Sequence, residues 1–414
     1  MVRAYGEDYR RARHPSAAQE KVLRHLAACR TAALGGHVDE CDACGHVRLS
    51  YNSCRDRHCP KCQAGERAAW LAQRLERLLP VPYFHVVFTV PHELNPLVLR
   101  NKARIVSILF QAAAATLREI AADPHHLGAE IGFTALLHTW GENLLFHPHL
   151  HCVVTGGGLS PDGTRWVPGR ERFFLPVRVL GRLFRGKFLA ALHHAWTDGD
   201  LGLTGSTAEL ADPVAWSALK DALYRKEWVV HAKPPFGGPE VVFRYLGRYT
   251  HRVALSNQRL TEVGNGHVTF TVRDHADHAR RKLLTLDAIE FLRRFLLHVL
   301  PKRLVRIRHY GLCAGRHVRG KLAVARRHLQ PPADAEPMPS PASASSDEPW
   351  WVRFRALTGI DMMACPVCLT GRLLRTGPLR AVSTMVPDVR PPPQVHQTTA
   401  RSRCAFLTVP GARG

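Results

Sequence analysis

Two histidines one residue apart, His149 and His151, lie in the run Phe146-His-Pro-His-Leu-His-Cys-Val-Val-Thr155, whose apolar alternation predicts a β-strand. Period two puts His149, His151 and Val153 on one face, with Leu150, Cys152 and Val154 on the other. Two imidazoles side by side on a rigid strand can chelate one metal ion while Leu150 anchors the strand in a core. Downstream, Val241-Val-Phe-Arg-Tyr-Leu-Gly-Arg-Tyr249 reads as a helix. There a spacing of four stacks Tyr245 and Tyr249 on one face. Arg244, Arg248 and Arg252 run along the same helix at the same spacing. Gly247 sits between the tyrosines, where Gly costs about 1 kcal/mol relative to Ala, so a close backbone approach is expected there.

Each feature alone has an ordinary explanation. A His-x-His arises by chance in a chain with 25 histidines, tyrosines four apart often fill a core, and a basic stripe is often only solvated. Together they suit phosphodiester chemistry. That reaction needs charge neutralised on the phosphate and a nucleophile held in line. A divalent metal on His149, His151 and one further polar ligand would polarise a non-bridging oxygen. Glu142 is the preferred third ligand, with His147, Asn257 and Gln258 as alternatives; Pro148 is expected to disturb the strand at His147. A free tyrosine has a pKa near 10 and must lose its proton during attack. The three arginines would hold phosphates nearby.

The cysteines carry a second message. The chain has 11, and six fall between Cys29 and Cys62. Cys41-x-x-Cys44 and Cys59-x-x-Cys62, fourteen residues apart, have close to the spacing of a four-cysteine zinc ribbon. Gly45 after the first pair and Pro60 within the second suit tight knuckles around a metal. The expectation is one tetrahedral Zn²⁺ on Cys41, Cys44, Cys59 and Cys62. Cys54, His37 and His58 are close enough in sequence to substitute, or to serve a second metal. Asp39, Glu40, Asp42, Arg55, Asp56 and Arg57 make the surroundings too polar for reduced core thiols. Cys365-Pro-Val-Cys368 is an isolated pair with no evident partner pair; Cys313, His309 and His317 could complete a site, or the arrangement is chance.

The net charge of +23 points to a polyanionic partner, most economically nucleic acid. Arg outnumbers Lys 47 to 10, which suits phosphate contacts but also follows from a GC-rich genome. Met1 to Pro15 is charged and lacks the apolar segment of a secretory signal, and no apolar run approaches bilayer length. A cytoplasmic protein that uses cysteines for metal is therefore expected, with no membrane partner.

Strands are expected over 83–90, 131–138 and 228–231, besides the histidine strand. Helices are expected over 16–34, 63–79, 96–122, 176–196, 213–225 and 287–300. A hairpin turning at Gly264-Asn-Gly266 and a strand over 304–307 complete the pattern. The fold class is α+β, divided into a zinc-binding region (1–80), a catalytic region (81–329), a Pro/Ala/Ser-rich linker (330–349) and a C-terminal tail (350–414) expected to be disordered past Pro378.

Tyr51-Asn-Ser-Cys-Arg-Asp-Arg-His-Cys-Pro-Lys-Cys62, His147-Pro-His-Leu-His151 and Tyr245-Leu-Gly-Arg-Tyr-Thr-His-Arg252 resemble the signatures of two-tyrosine rolling-circle transposases of bacterial insertion sequences, the insertion-sequence 91 group. The resemblance spans about residues 10 to 325 with the motifs in the same order. It implies an N-terminal zinc-binding domain and a nuclease of the His-hydrophobe-His class, a central antiparallel sheet flanked by helices. His149 and His151 match the metal ligands, here for Mg²⁺ or Mn²⁺, and Tyr245 and Tyr249 the nucleophiles. The implied reaction cleaves single-stranded or hairpin element ends, leaves a 5′-phosphotyrosine and a free 3′-OH, and joins strands to target DNA without a nucleotide cofactor. A plasmid replication initiator or conjugative relaxase would share that chemistry. A non-catalytic zinc-ribbon regulator would leave the histidines and tyrosines unexplained.

Overall fold

In chain order, helix α1 (Val2–Arg13) precedes α2 (Ala17–Ala28), whose start is fixed by a capping box between Ser16 and Gln19. Strands β1 (Gly36–Cys41) and β2 (Val47–Tyr51) form a hairpin, followed by β3 (Tyr83–Thr89). The helix expected over 96–122 is two helices, α3 (Asn95–Arg100) and α4 (Lys102–Ala122), broken at Asn101, whose side chain bonds the Leu97 and Gly202 carbonyls. Then come β4 (Glu130–Trp140), β5 (Phe146–Leu159), β6 (Trp166–Pro168), α5 (Val177–Thr197), α6 (Pro213–Arg225) and β7 (Val230–Lys233). Strands β8 (Leu260–Gly264) and β9 (His267–Asp274) make the expected hairpin, with Asn265 and Gly266 both at positive φ as its tight turn requires. The chain continues through β10 (Arg280–Asp287), α7 (Ala288–Leu297), β11 (Ile307–Gly311), α8 (Lys321–His328) and β12 (Leu373–Leu379). This computed structural model describes residues 1–62, 77–170, 175–233, 255–274, 280–330 and 361–382, with a few isolated positions between them. Most of the helix expected over 63–79, and all of the linker over 330–349 except Gln330, fall outside the described residues.

The protein is α+β. Its centre is a six-stranded antiparallel sheet in the order β11-β4-β5-β3-β7, with β6 paired to β5 at one side. Period two gives the sheet two unlike faces. Phe84, Val86, Phe88, Leu150, Cys152 and Val154 point to one, buried against α4 and α5. The opposite face carries the histidines at one end and, toward α8, an apolar cluster that includes Tyr83, Leu136, Val153 and Leu322. Contrary to the sequence expectation, α4 is long and apolar enough to cross a bilayer, but 67% of its most apolar stretch is buried in the core.

Two further sheets of three strands stand apart from the centre. In one, β8, β9 and β10 pack with α7 and the N-terminal helices in a shared core of Tyr9, Val22, Leu23, Phe270, Phe291 and Phe295. Strand β10 was not expected: its Arg-Arg-Lys start masks the alternation of Leu284 and Leu286. In the other, the order is β12-β1-β2, so a strand near the C-terminus pairs with one near the N-terminus. Residues Met1–Val382 thus form one compact unit.

Candidate active site and metal centres

The histidine strand is set by its neighbours on both sides. Against β4, Leu150 pairs with Leu137 and His149 with His138; against β3, His151 pairs with Val87 and His149 with Thr89. Pro148 lies inside β5, next to a register shift between His138 and Trp140 that absorbs its missing N–H. Antiparallel pairing therefore puts the His138 ring on the same face as His149 and His151. One nitrogen from each of these three rings lies within 4.8 Å of those from the other two, and His149 and His138 are only 8% and 5% exposed. His149 Nε2 and His151 Nε2 stand 3.0 Å apart, about the separation of adjacent ligands on an octahedral ion at ~2.1 Å.

The outer nitrogens are held as a metal site requires. A ring that offers Nε2 to a metal carries its proton on Nδ1, which needs an acceptor. His149 Nδ1 finds the His147 carbonyl at 2.7 Å, and His151 Nδ1 finds His85 Nε2 at 2.7 Å. His85 also stacks on His151, with ring centroids 5.0 Å apart and planes inclined by 14°. Burial pushes the His149 pKa down to about 4, and burial together with the neighbouring imidazoles pushes His138 and His151 well below the usual value. All three rings are thus neutral at pH 7 with lone pairs available.

The alternatives for a third ligand lie elsewhere. Glu142 is turned to the β8–β9 hairpin, 3.4 Å from Arg259 Nη2 and accepting the Arg273 N–H. The His147 ring is not part of the three-histidine group and contributes its carbonyl. Asn257 and Gln258 lie exposed on a single 3-10 turn. Tyr245, Tyr249, Arg244, Arg248 and Arg252 fall outside the described residues.

The four cysteines expected to share one ion do not come together. Cys59 and Cys62 group with Cys29 and Cys54, whereas Cys41 and Cys44 group with Cys365 and Cys368. In the first group Cys59 Sγ lies 3.5 Å from Cys29 Sγ, and Cys54 Sγ lies 3.8 Å from Cys62 Sγ. Four thiolates at ~2.3 Å from a tetrahedral zinc are about 3.8 Å from one another, so the donor set fits. Cys29 comes from the C-terminal end of α2, too far upstream to form a local motif with the others. His58 and His37 are not ligands of either group. His58 and His25 instead donate to Asp56, and those bonds hold its buried carboxyl well below the usual range; His37 lies 3.3 Å from Asp39.

Two families match the chain. A family described as a "Transposase zinc-binding domain" matches residues 1–90, and one described as "Putative transposase" matches residues 132–321. A Sinorhizobium fredii protein of the latter description is 50% identical over 393 residues, 93% of this chain and 97% of its own length. The chain belongs to the insertion-sequence 91 group of transposases. The transposase for insertion sequence element IS801 of Pseudomonas savastanoi pv. phaseolicola is 30% identical over 308 residues, 72% of this chain and 70% of that protein. No solved structure matches. The zinc-binding match covers Cys29 to Cys62, and a structural zinc belongs to this transposase. The second match covers His138, His149 and His151, and the substrate of a transposase is DNA. Cys365 and Cys368 lie outside both.

Proposed function

We propose that this transposase cleaves single-stranded DNA at the ends of its insertion sequence with Tyr245 and Tyr249 as nucleophiles, and rejoins strands by a rolling-circle route. A divalent ion would be held by His138, His149 and His151. The observation that carries this reading is the convergence of three neutral imidazoles whose Nδ1 positions, at His149 and His151, are already engaged. When bound, the ion would polarise a non-bridging oxygen of the scissile phosphate and offset its charge. A donor set of three imidazoles favours Mn²⁺ over the harder Mg²⁺.

The remaining work falls to protein groups. The tyrosine phenol gives up its proton and its oxygen attacks phosphorus in line. The bond to the 3′-oxygen breaks, and that oxygen leaves as a hydroxyl after taking up a proton. The phosphotyrosine conserves the ester bond, so rejoining needs no nucleotide cofactor. Two tyrosines let one hold the first end while the other cuts the second. Arg306, just before β11, acts on His138 electrostatically; burial and the neighbouring Arg57 lower it to about 10, so it remains a cation at neutral pH. Cys29, Cys54, Cys59 and Cys62 would hold the structural zinc, and Arg244, Arg248 and Arg252 would grip flanking phosphates.

Incubation of the protein with single-stranded element-end oligonucleotides and Mn²⁺ tests the reading. A covalent protein–DNA adduct on a denaturing gel, absent from His149→Ala, is expected. Cleavage with no adduct would replace the tyrosines with a metal-activated water.

A further inference from the structure

We infer that the protein holds a second zinc ion in a site split between the two ends of its chain, formed by Cys41 and Cys44 near the start and Cys365 and Cys368 near the end. Cys41 Sγ lies 3.7 Å from Cys368 Sγ, and Cys44 Sγ lies 3.8 Å from Cys365 Sγ, across sequence separations of 327 and 321 residues. These distances are nearly twice the ~2.05 Å of a disulfide and match the ~3.8 Å edge of a tetrahedral thiolate site.

The two halves are built alike. Each is a Cys-x-x-Cys turn in which the second residue after the first cysteine donates its N–H to that cysteine's sulfur: Ala43 to Cys41 at 3.4 Å, and Val367 to Cys365 at 3.4 Å. Each closes with a left-handed residue after the second cysteine, Gly45 at φ 69° and Leu369 at φ 61°. The N–H of that residue returns to the first cysteine's carbonyl, at 3.0 Å for Gly45 and 3.2 Å for Leu369. A leucine rarely adopts this backbone, and its presence at the matching position indicates that the turn is imposed by what the sulfurs hold. Gly371 donates to Cys368 Sγ at 3.2 Å, and a Cβ there would collide with the Cys41 sulfur. N–H groups aimed at sulfur stabilise thiolates, the form that binds metal.

The surrounding chain brings the halves together. Strand β12 pairs antiparallel with β1 from Leu373 opposite Cys41 to Leu379 opposite Gly36. Beside the sulfurs, Arg372 N–H donates to the Asp42 carboxylate at 2.7 Å and Asp42 N–H to the Arg372 carbonyl at 3.1 Å. The segment 361–382 is therefore a structural part of the zinc-binding module, tied in by metal as well as by strand pairing.

Zinc content of the purified full chain, measured by plasma mass spectrometry, should be two per molecule. It should fall to one in Cys365→Ser/Cys368→Ser, and likewise to one in Cys59→Ser/Cys62→Ser. A wild type with one zinc, or a folded Cys365→Ser/Cys368→Ser protein that keeps the wild-type content, overturns the proposal. Alkylation of the wild type needs no variant to fold. With zinc bound, Cys41, Cys44, Cys365 and Cys368 should be protected together from N-ethylmaleimide, and chelator should expose all four. Rapid alkylation of Cys365 and Cys368 in zinc-loaded protein, with Cys41 and Cys44 still protected, would show that the pairs do not share an ion.

Discussion

Replacing His85 with Phe tests whether the histidine site is a metal site or merely a buried aromatic cluster. His85 is 8% exposed, stacks on His151 and exchanges a 2.7 Å hydrogen bond with its Nδ1. Phe keeps a flat ring of similar size, so the stacking survives while the hydrogen bond to His151 is lost. The cost to folding is that of one buried imidazole nitrogen left unsatisfied, about 1–3 kcal/mol. The cost to metal binding is different in kind. Without an acceptor for Nδ1–H, His151 is no longer fixed in the tautomer that presents Nε2, and such outer partners are typically worth 10–100-fold in metal affinity. Mn²⁺ affinity of His85→Phe, measured by calorimetry, should therefore weaken by roughly that factor. The Mn²⁺ concentration for half-maximal cleavage should rise in step, while the rate at saturating Mn²⁺ changes little. Gln at position 85 offers a carbonyl oxygen to Nδ1–H and should recover most of the loss. Unchanged Mn²⁺ affinity in a folded His85→Phe protein would refute the argument.

Other consequences follow from the same geometry. Glu142→Gln should leave cleavage within a few fold of wild type, whereas His138→Ala should abolish it at low Mn²⁺; the reverse pattern in a cleavage assay would restore Glu142 as the ligand. Changing both Tyr245 and Tyr249 to Phe should remove the covalent adduct, as read on denaturing gels, while leaving DNA binding intact. Affinity for single-stranded DNA should fall steeply with salt, with a log–log slope of about −0.7 per phosphate contact, and a flat response in fluorescence anisotropy would exclude a phosphate-dominated interface. Burial lowers the His298 pKa to about 3, well below its unfolded value, so its contribution to stability is present above about pH 6.5 and is lost as the pH falls toward 3. That loss is about 3 kcal/mol by pH 4, and a thermal midpoint that stays flat between pH 7 and 4 would contradict it.

Much of the fold was legible because local rules and tertiary context agree. Ser16 with Gln19, Asp212 before Pro213, and Gly264-Asn-Gly266 carry their own start and turn signals, and α2, α6 and the β8–β9 hairpin formed where those signals stand. The misses occurred where tertiary pairing decided the outcome. Strand β12 holds Leu-Leu-Arg-Thr-Gly-Pro-Leu, a poor strand by propensity, and forms because β1 offers a free edge beside the Cys41 sulfur. The β11 strand begins at Ile307 rather than Leu304, since its register is set by Leu136 on β4.

The site was legible within single elements and illegible across them. His149 and His151 share a strand, so period two sufficed to pair them. Finding His138 required the register of the β4–β5 hairpin, in which His138 lies opposite His149 and Leu136 opposite His151. The sequence holds the clue, because Gly141-Glu-Asn143 is turn material between two apolar runs, and folding the chain about that turn brings His138 to His149. The cysteines followed the same logic. Spacing paired 41/44 with 59/62 and left Cys365-x-x-Cys368 without an evident partner pair, whereas the β1–β12 ladder brings 41/44 to 365/368 and leaves Cys29 and Cys54 to complete the other group. Cysteine spacing identifies the knuckle, but which knuckles share an ion is decided by strand pairing.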